Sequence, residues 1–125
     1  MDYNYALETL AILAPYENFL YGLKVPETKR QYPHRLDKFM CFIGLEAGGV
    51  TIQQRTNMLY DMGKNNPALL QSCVIRFIDQ QKQRIANKEI TEGTLANYIK
   101  AIKLFCSMND LLIIYWTKIR RWNAN

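Results

Sequence analysis

The chain has 125 residues, of which 49% are hydrophobic and 22% charged, and its formal charge is +5 at pH 7. That length and composition suit one domain, residues 1–125, with a core of its own; they exclude a disordered chain, since no Ser/Gly/Pro-rich or single-charge block interrupts it. The surplus of bases, with a pI near 9.2, favours polyanions such as nucleic acid or an anionic membrane surface, the plain alternative being a soluble protein that is merely basic.

Residues 4–14 are good helix formers with Leu7, Leu10, Ala11 and Ala14 on one side. Pro15 ends or redirects that helix, and residues 16–23 add a short helical turn closed by Gly22. Val25-Pro26 then sets proline at the first position of the next helix, predicted over 26–43. In it Tyr32, Leu36, Phe39, Met40 and Ile43 fall within about 100° of arc, while Arg30, His34, Asp37, Lys38 and Cys41 take the opposite side. Pro33 predicts a kink near 29–33, and Gly44 with Gly48-Gly49 stops the helix.

Thr51 caps a helix with a weaker stripe, Ile52, Met58, Leu59 and Met62, that ends before Gly63. Asn66-Pro67 opens a long helix in which Leu70, Val74, Phe77, Ile78, Gln81 and Ile85 keep helical spacing, with Arg76, Lys82 and Arg84 on a solvated face. Thr91 caps a helix over 92–108 that turns Leu95, Tyr98, Ile102 and Phe105 inward and Asn97, Lys100, Lys103 and Ser107 outward. Asn109-Asp110 ends it, and the apolar run 111–116 reads as a turn into a short helix ending at Arg121.

Cys41, Cys73 and Cys106 are odd in number and widely spaced, with no CxxC and one histidine, which argues against a disulfide framework or a metal site. A reduced, intracellular setting follows. The first fifteen residues carry Asp2 and Glu8 and lack the basic start of a signal peptide, and no apolar run approaches the ~20 residues that cross a bilayer. The expected location is the cytoplasm, in association with the nucleoid, with no membrane partner.

Two of these helices echo each other. Thr28, Tyr32, Leu36 and Phe39 return with the same spacing as Thr94, Tyr98, Ile102 and Phe105, and the caps before them, Val25 and Thr91, coincide in phase. On this alignment His34 matches Lys100 and Asp37 matches Lys103, which predicts two similar outward faces; Arg30 matches Ala96, where the symmetry of charge fails.

The stretch Pro26-Glu-Thr-Lys-Arg-Gln-Tyr-Pro-His-Arg-Leu-Asp-Lys-Phe resembles the opening helix of the core-binding domain of tyrosine recombinases, the phage-integrase family. Glu89-Ile-Thr-Glu-Gly-Thr-Leu-Ala-Asn-Tyr-Ile-Lys-Ala-Ile-Lys-Leu-Phe-Cys-Ser-Met-Asn-Asp is similar to the later helix of that domain in archaeal integrases. These motifs consist of packing and capping residues with interspersed bases. The resemblance implies an all-α, SAM-like bundle of four main helices plus short terminal ones, lying on one side of a DNA duplex while a separate catalytic domain grips the other.

In that family cleavage needs a Tyr nucleophile, paired Arg residues, a Lys and His, which stabilise charge on the attacked phosphate and move protons. This chain has no His-x-x-Arg and ends at Asn125, about where the interdomain linker is expected. Binding without cleavage is therefore expected, with no cofactor and no metal. The partners are double-stranded DNA and further recombinase protomers on it.

Affinity is expected from Lys29, Arg30, His34, Arg35 and Lys38 on the first motif and Lys100 and Lys103 on the second, through release of counterions from phosphate. Asn97 is the candidate for a base contact, since Asn pairs with adenine in the major groove. Lys118, Arg120 and Arg121, beside Trp116 and Trp122, make a basic and aromatic end that the resemblance places toward the linker. The alternative is a helical protein-interaction module, or an orphan regulator that pairs with a recombinase, using an exposed apolar run over 111–116.

Overall fold

The computed structural model describes residues 14–45, 49–113 and 116, which form five helices and no strand. They are α1 (Pro15–Tyr21), α2 (Pro26–Phe42), α3 (Ile52–Asn65), α4 (Pro67–Ala86) and α5 (Glu92–Met108). Of the helix predicted over 4–14, residues 4–13 lie outside the described residues. Pro15, Pro26 and Pro67 each open a helix, where the missing N–H has no intrahelical partner to lose. Pro33 sits within α2, and the helix continues through it.

Local chemistry closes the remaining helix ends. Thr51 and Gln54 form a reciprocal capping box on α3, with the Thr51 hydroxyl accepting from the Gln54 N–H at 3.2 Å and the Gln54 Oε1 accepting from the Thr51 N–H at 2.8 Å. Asn66 and Thr91 accept in the same way from Leu69 and Thr94, both at 3.2 Å. At the end of α2, Gly44 takes φ of 87° while Leu45 donates to the Met40 carbonyl and Gly44 to that of Cys41, both at 3.0 Å. The same six-to-one closure ends α4 and α5, but there Lys88 and Asp110 take the left-handed conformation, with φ of 62° and 54°.

The two echoed helices, α2 and α5, pack extensively on each other, and α1, α3 and α4 close around them. Leu36, Phe39, Ile102 and Phe105 are buried, while the repeated Tyr32 and Tyr98 are half-buried at the edges. Phe77 from α4 wedges between the pair, its ring 5.3 Å from Phe39 and 5.5 Å from Tyr98, both edge-on. Phe19 from α1 reaches Phe105 at 6.1 Å. Each buried ring of this kind contributes about 1.5–3 kcal/mol by leaving water, so the echoed phenylalanines anchor both flanks of the core.

Three expectations change here. The helix predicted to stop before Gly63 runs on to Asn65, because Gly63 is a packing site: a Cβ there falls 2.9 Å from Leu70 Cδ2 and 3.0 Å from Leu111 Cδ1. The buried stripe of α3 is Thr56, Leu59 and Gly63, with Ile52 half-buried, and Met58 is exposed. Thr56 fits because its hydroxyl donates back to the Ile52 and Gln53 carbonyls of its own helix at 2.9 Å. Finally, residues 111–113 are neither helix nor strand, and Leu111 and Ile113 are buried, which leaves Leu112 as the exposed member of that part of the run. The helix expected to end at Arg121 lies outside the described residues beyond Trp116.

Candidate nucleic-acid interface

The bases of α2 do not share one face. Arg30, His34 and Lys38 recur every fourth residue on a strip opposite Leu36 and Phe39, whereas Arg35 lies on a flank of the buried stripe and Lys29, in the first turn, is in line with the stripe. Lys29, Arg30, His34 and Lys38 are exposed and Arg35 is half-buried. Arg30 donates to Glu27 at 2.7 Å, Gln31 donates to the same carboxylate, and Arg35 donates to Gln31, so a polar chain runs along the helix. The hydrogen bond from Arg30 holds the Glu27 carboxyl below its ordinary range. Water screens a pair this exposed, and the pair leaves Arg30 available to a competing phosphate.

On α5, Lys100 and Lys103 are exposed and Asn97 is half-buried on the flank. Lys103 Nζ lies 6.0 Å from the centroid of the Trp116 ring, a cation–π contact that places the ammonium. The outward faces of the two helices differ more than their alignment predicts. Asp37, the counterpart of Lys103, is turned to α3, where it accepts from Arg55 Nε at 2.7 Å. Arg55 also donates to the Val50 carbonyl and thereby fastens the connection before α3. Burial, and secondarily the Asp37 charge, raises the Tyr16 hydroxyl above its ordinary pKa on the neighbouring helix.

A groove of about 520 Å³ opens between α5 and the α1–α2 connection. Lys100 and Lys103 line it from α5, Lys24 from the connection, and Thr28 and Tyr32 from the first turns of α2. Arg30, His34, Lys38 and Asn97 do not line it. The structure therefore sorts Arg30, His34 and Lys38 into an outer strip on α2 and Lys24, Lys100 and Lys103 into a groove on α5, and Lys29 and Arg35 join neither. Lys24 went unnoticed in the sequence because it lies between helices, where no periodicity assigns it a face. Lys118, Arg120 and Arg121 lie outside the described residues.

Among the described residues no group of His, Cys, Asp and Glu is placed to hold a metal ion, and no helix is long and apolar enough to cross a membrane. Cys106 is buried in the core, which pushes its thiol up to about 12; Cys73 is half-buried and also raised. No family model, no curated protein and no solved structure matches the chain.

Proposed function

We propose that this chain binds duplex DNA as the core-binding unit of a site-specific tyrosine recombinase of the integrase family, with a SAM-like helical fold and without cleaving the strand itself. The observation that carries the reading is the pairing of the two recombinase-like motifs: they form α2 and α5, which pack on each other, turn their repeated apolar residues into the common core and leave Lys29, Arg30, His34, Lys38, Lys100 and Lys103 exposed. Bases on such helices lie within reach of phosphates, and neutralising phosphate releases condensed counterions. Asn97, on the flank of α5, is the residue for a base contact in the major groove.

Titration of random-sequence duplex with rising salt tests the reading. Affinity should fall steeply between roughly 50 and 200 mM salt, with a slope in proportion to the phosphates contacted. Replacing Lys100 and Lys103 together with alanine should lower that slope by about two. A shallow salt dependence, or a double variant that binds as wild type does, overturns it. With a suicide DNA substrate the chain should form no covalent adduct.

A further inference from the structure

The groove on α5 has a composition that backbone phosphates alone do not require. Gly22, Leu23 and Leu104 give it an apolar floor, Lys24, Lys100 and Lys103 stand along its walls, and among the described residues no carboxylate lines it. Three cations over an apolar floor complement an anion with a flat apolar body. A volume of about 520 Å³ lies within the roughly 300–1,000 Å³ of clefts that hold small molecules. Tyr32 supplies an aromatic ring at the α2 wall, and the contact with Trp116 holds Lys103 at the opposite wall.

We propose that this groove binds a single nucleotide with an unpaired base. The base lies against Tyr32 and Leu104, and its phosphate sits between Lys24 on one wall and Lys100 and Lys103 on the other. Aromatic stacking accepts any base, so the site selects for an unpaired nucleotide rather than for a sequence. The nucleotide is either free or an unpaired residue of a DNA strand; the second source rests on the DNA-binding reading above.

The test follows backbone amide shifts while isotope-labelled protein is titrated with dAMP, with deoxyribose 5-phosphate and with octanoate. In parallel, binding of a duplex carrying one bulged adenosine is compared with that of the fully paired duplex. The expected result is a saturable dAMP shift at Leu23, Thr28, Leu104 and Ser107, with the sugar phosphate about tenfold weaker for want of the stacked base. Ser107→Phe fills the groove from an exposed position on α5 and should abolish the dAMP response. Should that variant fail to fold, Lys24→Ala on the exposed connection should weaken dAMP about tenfold.

Equal shifts with dAMP and the sugar phosphate overturn the proposal, since the lysines then merely gather anions. Tighter binding of octanoate than of dAMP also overturns it, as does a dAMP response that survives in Ser107→Phe. Preference for the bulged duplex identifies the strand as the source, and equal affinity for the two duplexes identifies free nucleotide. No dAMP response with intact, salt-sensitive duplex binding sinks the groove and leaves the DNA reading standing; the opposite pair of results does the reverse.

Discussion

Replacing Asn109 with alanine removes a polar tie between the end of α5 and the start of α1. Asn109 is 4% exposed, and its side chain makes three hydrogen bonds: Nδ2 donates to the Pro15 carbonyl at 3.1 Å and the Phe105 carbonyl at 3.0 Å, and Oδ1 accepts from Asn18 Nδ2 at 2.9 Å. A net of about 0.5–1.5 kcal/mol per bond gives about 1.5–4.5 kcal/mol for the three. The Phe105 carbonyl keeps the Asn109 backbone N–H at 3.2 Å, so one of the three losses is cushioned. About 1–3 kcal/mol of destabilisation is expected on this count.

Asn18→Ala, which removes only the half-buried bond, should cost about 0.5–1 kcal/mol. Urea unfolding at constant m-value measures both, and a typical domain stability of roughly 5–15 kcal/mol leaves each variant folded. In the double variant the two losses should fall short of adding, because the Asn18 bond is removed twice. If Asn109→Ala unfolds within about 0.5 kcal/mol of wild type, or costs no more than Asn18→Ala, the tie contributes nothing and the account of how α1 is held is wrong.

Three further outcomes are expected. Lys88→Gly should stabilise the fold by about 0.5–1 kcal/mol in the same assay, since Lys88 holds φ of 62° at the exposed end of α4, a conformation costly for a residue with a Cβ. Gly63→Val should destabilise by about 1–3 kcal/mol despite its higher helix propensity, because added atoms meet the buried Leu70 and Leu111 side chains; a melting temperature at or above wild type speaks against that close contact. For Cys106, whose thiol rises from 9.0 to about 12 on burial, the unfolded chain releases its proton first as pH climbs. Its contribution is therefore fully present below pH 9.0 and declines toward pH 12. Cys106→Ala should flatten that alkaline decline in urea midpoints measured against pH, and the native thiol should resist alkylation at pH 8 until the protein unfolds.

Much of the helical framework was legible because its determinants are local. Pro26, Thr51, Asn66-Pro67 and Thr91 act on the backbone within three residues of themselves, and each opens the helix assigned to it. The echo of Tyr32, Leu36 and Phe39 in Tyr98, Ile102 and Phe105 likewise identified the inward side of the two framing helices, since helical period alone determines which residues share a side. The exposed bases of α2 and α5 were legible for the same reason, whereas Lys24, between helices, was not.

Their arrangement in space was not visible. A hydropathy stripe scored Met58 above Thr56, yet Thr56 satisfies its hydroxyl within α3 and is buried while Met58 is exposed. Gly63 reads as a helix stop by propensity and is instead the surface on which Leu70 and Leu111 rest. Asn109 reads as a helix end and also binds α1 from a buried position. Asp37 reads as an exposed charge and is taken by Arg55 from the neighbouring helix. By itself the sequence determined where α2, α3, α4 and α5 begin and which side of α2 and α5 is apolar, because those depend on neighbours one turn away. Tertiary structure alone decided which polar and small residues went inside, and it brought Lys24 to Lys100 and Lys103, because each of those outcomes depends on atoms supplied by a distant part of the chain.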